Sequence, residues 1–122
     1  MDTQTHNPTD DQVALAADTF KLLADPTRLR IVWALLHGEH SVNNLSDHVG
    51  AQPAAVSQHL AKLHLARIVT RRREGTFFHY SIENEHIGRL AEEALFSSDH
   101  IVADLPEEHL HKKPRHRVEK TA

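Results

Sequence analysis

Cysteine is absent from the 122 residues, so a disulfide framework, a thiolate metal site and a cysteine nucleophile are all excluded. Aromatic side chains make up only 5% of the chain, and a core of this size must therefore be built mainly from Leu, Val, Ile and Ala. No apolar run approaches the roughly 20 residues that a membrane span requires, and the opening MDTQTHNPTDD is polar and acidic, unlike a secretory or transit segment. Phosphate loops, HExxH arrangements and nucleophile motifs are missing too, which argues against an enzyme. These absences lead us to expect a small cytoplasmic protein with no membrane partner and no catalytic site.

What the chain does contain is a run of short helical patterns. Thr9 and Gln12 have capping-box spacing before an apolar face of Val13, Ala16, Ala17, Phe20 and Leu23, predicting a helix to about Ala24. Asp25 as N-cap and Pro26 at the first position open a second helix, with Leu29, Val32, Trp33 and Leu36 as its buried stripe and Gly38 at its end. SVNNLSDHVGAQPAAVSQHLAKLHL, Ser41 to Leu65, then reads as two helices joined at Gly50, the second started by Pro53. In that second helix Val56, Leu60 and Leu63 point inward. The other side offers Ala54, Ser57, Gln58, His59 and Lys62, with Gln52 just ahead. Slim at its N-terminus and carrying amide and hydroxyl groups plus a cation, that face suits a major groove about 12 Å wide.

Ala66 to Ile82 reads as two strands around a turn at Glu74-Gly75, with Phe78, Tyr80 and Ile82 alternating onto one face and Arg71, Arg72 and Arg73 at the tip. A basic hairpin directly after a recognition-type helix is a wing, reaching phosphates or the neighbouring minor groove. The net charge of -3 conceals this, because Lys62 to Arg73 holds five basic residues and no acidic one. Glu83 to about Ser98 returns to helical spacing, with Ile87, Leu90, Ala91, Ala94 and Leu95 on one side. Together with the first helix it offers a surface for a second copy, since a two-fold dimer presents two recognition helices to a two-fold site. The expected architecture is mainly α with a small β-hairpin, a homodimeric winged helix-turn-helix over residues 1–100. Residues 101–122, Pro-containing and charged, are expected to form a flexible tail bearing His109, His111 and His116.

LADPTRLRIV, VSQHLAKL and RRREGTFFHYSI together resemble the ArsR/SmtB family of winged-helix repressors, over about residues 11 to 100. SVNNLSDHVG, ENEHIGRL, the Asp99-His100 pair and the histidines beyond it are most similar to the nickel- and cobalt-sensing branch of that family. The resemblance implies a homodimer on double-stranded operator DNA that is released when metal binds. Where the family places a cysteine pair to sense soft metals, this chain has Ser41, Val42, Asn43 and Asn44. The family's tetrahedral site in the last helix is also incomplete, reading Asn84-x-His86 and Ser97-x-x-His100. The nickel and cobalt pattern instead implies His86, Asp99, His100, His109 and His111 as ligands.

His86 and His100 are fourteen residues apart, about 21 Å along a helix at about 1.5 Å per residue, so one helix does not chelate an ion with both. Two antiparallel helices from two subunits would bring them together. His86, Glu93, Ser97 and His100 share a strip about 60° wide at about 100° per residue; Asp99 lies outside it and would join only where the helix frays near Ser97-Ser98. Imidazole and carboxylate donors without sulfur suit Ni(II), Co(II) or Zn(II), and extra ligands from the tail favour the first two. Competing readings are a repressor answering zinc or a non-metal signal, and a winged helix that binds protein, against which the arginine run argues.

Overall fold

The structure, a computed structural model, describes residues 7–105. Four of the five described helices start where a side chain satisfies free N-H groups. In α1, Asp10–Leu23, the Thr9 hydroxyl accepts from the Gln12 N-H at 3.1 Å, and the Gln12 side chain accepts from the Thr9 N-H at 2.8 Å, completing the capping box. Asp25 caps α2, Pro26–Leu36, by accepting from the Arg28 N-H at 3.0 Å. That hydrogen bond is the main reason its carboxyl is held below the usual range.

Ser41 caps α3, Val42–Val49, and the helix stops where Gly50 takes a left-handed φ of 70°. Pro53 starts α4, Pro53–Leu65, as its spacing predicts. Helices α3 and α4 pack together, and the Ser46 hydroxyl donates to the Ala51 carbonyl across the turn between them. Val56, Leu60 and Leu63 of α4 are fully buried with Ile31, Val32 and Leu45, so the inward stripe read from the sequence is the centre of the core.

The remaining chain departs from expectation in several places. A two-residue strand β1, His40–Ser41, joins β2, Val69–Glu74, and β3, Phe77–Ile82, in an antiparallel sheet ordered β1-β3-β2. Two residues are too few to show alternation, and that pairing is set by tertiary contact. The hairpin turn falls at Gly75-Thr76, because β2 extends through Glu74. Tyr80 is buried, but Phe78 sits toward the free end of the hairpin, where no core reaches it. Trp33, placed by spacing in the buried stripe of α2, is instead 46% exposed, since none of the described residues covers that side.

The last helix, α5, spans Glu85–Asp104 and is capped by Asn84 rather than starting at Glu83. It packs on α2, where a Cβ at Gly88 would lie 2.6 Å from the Leu36 side chain. It also runs past Ser98 without a break, so residues 101–104, read as the start of the tail, are helical. Ser97, Ser98 and the β-branched Ile101 and Val102 are modest helix formers, but a helix already docked through Gly88 and Ala91 propagates through them. The rest of the tail lies outside the described residues.

Helix α1 buries only Leu23, and leaves Val13 at 52% and Phe20 at 58% exposure. The apolar face read from the sequence is therefore present but uncovered by the described residues.

The His40 ring meets the His48 ring edge-on at 4.8 Å between centroids, linking β1 to the end of α3. Burial first, and His48 second, push the His40 pKa below its ordinary value, with a hydrogen bond to the Ala34 carbonyl opposing in part. A lowered folded value means the neutral ring supports the fold: that support is complete above the unfolded pKa and is lost as pH falls through the folded one. We expect the urea midpoint to fall between about pH 7.5 and about pH 5.5, and to fall less in His40→Phe. An equal fall in both proteins would show that the pair does not carry this dependence.

Candidate nucleic-acid interface and metal ligands

With its apolar stripe committed to the core, α4 turns Gln52, Ala54, Ser57, Gln58 and Lys62 to solvent. The Gln52 side chain makes no capping hydrogen bond, and α4 contains no acidic residue. The exposed face therefore offers amide and hydroxyl groups at its start and a cation in its last turn, with no carboxylate to repel a polyanion.

His59 is different. The structure turns it inward, half-buried, where its Nδ1 lies 3.2 Å from the Arg28 guanidinium and its Nε2 lies 3.8 Å from the Asp25 carboxylate. Arg28 in turn donates from Nε to the Leu22 carbonyl at 2.7 Å. His59 thus ties α4 to the corner between α1 and α2, a role that helical spacing alone could not reveal. His59→Ala should cost about 1 kcal/mol in urea unfolding, because Arg28 loses an acceptor. An unchanged midpoint would contradict the tie.

On the hairpin the three arginines separate. Antiparallel register sets Arg71 opposite Tyr80, Arg72 opposite His79 and Arg73 opposite Phe78, so Arg71 and Arg73 share one face and Arg72 takes the other. Arg71 lies over the Phe78 ring, 4.4 Å from its centroid, and Arg73 donates to the Gly75 carbonyl at 3.0 Å. Arg72 donates from Nε and Nη2 to the two oxygens of Glu39, at 2.8 and 2.9 Å. This bidentate pair is the leading reason the Glu39 carboxyl is held below its ordinary value and the Arg72 guanidinium above its own. All three are exposed, but they stand along β2 rather than at the turn itself.

His86 and Asp99-His100 lie in opposite halves of α5, as their spacing requires, and one chain does not bring them together. Among the described residues no group of three or more His, Cys, Asp or Glu is placed to hold a metal ion. His86, Glu93, Ser97 and His100 are all exposed, on a strip away from the buried Gly88 and Ala91. The fraying that would move Asp99 onto that strip is not seen, because α5 runs unbroken through Ser97 and Ser98, and the Ser98 hydroxyl donates back to the Ala94 carbonyl at 2.9 Å. Asp99 instead lines a cavity of about 740 Å³ with Trp33, His37, His48 and Phe96. His109 and His111 lie outside the described residues. No helix among those residues is long and apolar enough to cross a membrane.

Comparison with known proteins agrees with this geometry. The family profile for bacterial regulatory proteins of the arsR family matches residues 25–71, from the cap of α2 into the hairpin. The HTH-type transcriptional regulator KmtR of Mycobacterium tuberculosis is 46% identical over 100 residues, covering 82% of this chain and 77% of KmtR. Among solved structures, the AntR antimony-specific transcriptional repressor superposes with a TM-score of 0.75 at 32% identity, covering 84% of this chain and 94% of AntR. The homodimeric winged helix-turn-helix DNA-binding domain of Mb0332 from Mycobacterium bovis gives 0.67 at 29% identity, covering 79% and 92%. The chain belongs to the ArsR family of helix-turn-helix transcriptional regulators, and is not an enzyme.

Proposed function

We propose that this regulator is a homodimeric repressor that holds double-stranded operator DNA through α4 and the hairpin and is released by Ni(II) or Co(II). The observation that carries the DNA reading is the exposed, acid-free face of α4 beside a hairpin with two arginines unpaired to any carboxylate among the described residues. The exposed apolar residues of α1, with Trp33 of α2 and Phe96 of α5, support a second copy. Mb0332 is described as a homodimer, which favours the same assembly.

The metal reading rests on chemistry and on relatives. Imidazole nitrogens and carboxylate oxygen, with no cysteine in the chain, fit divalent nickel, cobalt or zinc. AntR is described as antimony-specific, so a regulator of this fold answers to an inorganic effector. His86 and His100 occupy the free strip of α5, where an antiparallel partner helix would bring each beside the other's counterpart. His109 and His111 of the tail are the further donors we assign. Glu93 is the carboxylate already on the strip, and Asp99 would serve only if the helix end unwound. The bound ion would supply a cross-link between subunits, favouring one dimer geometry over others.

The test is fluorescence anisotropy on the DNA upstream of the regulator's own gene, with each metal titrated in turn. Release by Ni(II) or Co(II) at lower concentration than by Zn(II) is expected. Release by zinc alone would reassign the effector, and operator binding indifferent to all three would leave a repressor with a non-metal signal.

A further inference from the structure

The hairpin has two faces of opposite electrostatic character. One carries Arg71 and Arg73, with no acidic residue between them and with Phe78 as a platform under Arg71. The other gathers Glu39, Arg72, Glu74 and His79: besides the Glu39 pair, Arg72 lies 3.4 Å from Glu74, and Glu74 lies 3.1 Å from the His79 ring. On this second face two carboxylates oppose one guanidinium, so it repels a phosphate backbone. The first face continues, toward the base of the hairpin, into buried Val69 and Tyr80, and β2 packs against α4. It is therefore the side of the sheet that adjoins the recognition helix.

Arg72 also spans the sheet. Ser41 of β1, His79 of β3 and Arg72 of β2 stand in one row across it, and Glu39 immediately precedes β1. The guanidinium crosses the central strand to reach a carboxylate on the connection between α2 and α3. Its Nε and Nη2 edge, which offers the bidentate geometry a phosphate would use, is occupied by Glu39, and Nη1 faces Glu74.

We propose that the wing meets DNA with the face carrying Arg71 and Arg73, and that Arg72 is a positioning residue which, through Glu39, fixes the wing against the helix-turn-helix. This rests on the DNA-binding reading above for the first half only; the clamp stands on the protein alone.

Two measurements on the full chain separate the halves. In operator anisotropy across a salt series, Arg71→Ala and Arg73→Ala should each flatten the slope of log K against log salt by about one unit, and Arg72→Ala should leave it unchanged. In amide hydrogen exchange without DNA, Arg72→Ala and Glu39→Gln should speed exchange in β3 about two- to fivefold, while Arg71→Ala and Arg73→Ala do not. The exchanged pair, Glu39→Arg with Arg72→Glu, should return β3 to wild-type protection, which a merely steric role for Arg72 would not produce. A flattened slope in Arg72→Ala, or unchanged slopes in both Arg71→Ala and Arg73→Ala, overturns the assignment of faces. Unchanged exchange in Arg72→Ala and Glu39→Gln overturns the clamp. A wild-type chain with no salt-dependent DNA binding would refute the repressor reading, and with it the assignment of faces, while the exchange data still decide the clamp.

Discussion

Gln58→Ala is expected to lose about 1–3 kcal/mol of specific operator binding, and Ser57→Ala a similar amount, with little change on unrelated DNA. Both side chains stand on the exposed face in the first two turns of α4, where a recognition helix reaches base edges. An amide forms paired hydrogen bonds with adenine, and a hydroxyl reaches either purine or pyrimidine edges, so their removal should relax sequence preference rather than weaken all binding equally. Competition anisotropy with operator and scrambled duplexes measures this directly. If both variants lost affinity for the two duplexes in the same proportion, these residues would be backbone contacts. Lys62, in the last turn, should behave in that second way.

Much of the fold that carries the candidate site was legible in the sequence, and the reasons are local. Thr9, Asp25, Ser41 and Pro53 announce helix starts because capping and the geometry of proline act over three or four residues. The buried stripe Val56, Leu60 and Leu63 follows from helical period alone. What the sequence hid is long-range. His59 reads as one more polar residue on an exposed helix until Arg28, thirty-one positions away, is seen bonded to it. Arg72 is indistinguishable from its neighbours until strand register separates faces and Glu39 is found across the sheet. Trp33 fits the stripe of α2 by spacing, yet the side it occupies is left open by the described residues. Helix α5 is longer than its sequence spacing suggests, because Ser97 and Ser98 weaken the helical signal while docking of Gly88 and Ala91 against the core outweighs that preference.

His86→Ala and His100→Ala should keep operator affinity near wild type in the absence of metal, yet lose most of the release by Ni(II) or Co(II). Both side chains are exposed and neither packs in the core, so their removal should not disturb α4. Linkage requires that an ion preferring one dimer geometry weaken DNA binding to the same extent that DNA weakens ion binding, typically by about 1–3 kcal/mol, or roughly 5- to 150-fold. Each variant should shrink that factor toward one. A truncation after Pro106 removes His109 and His111 while sparing the helix, and should weaken the response and shift it toward zinc, which accepts four ligands. Release of His86→Ala and His100→Ala from DNA as readily as the wild type would remove these histidines from the sensor.

The proposed ion site is shared between two copies, and mixing the two variants tests that sharing most directly. In a His86→Ala homodimer both shared sites lack one ligand, and the same holds for His100→Ala. A mixed dimer places an intact His86 from one chain beside an intact His100 from the other, restoring one complete site and leaving the second without either histidine. Calorimetric titration of Ni(II) into the re-equilibrated mixture should therefore recover tight binding at one ion per mixed dimer, where each variant alone shows none. No recovery on mixing, or tight binding retained in either variant by itself, would contradict a site built across the dimer.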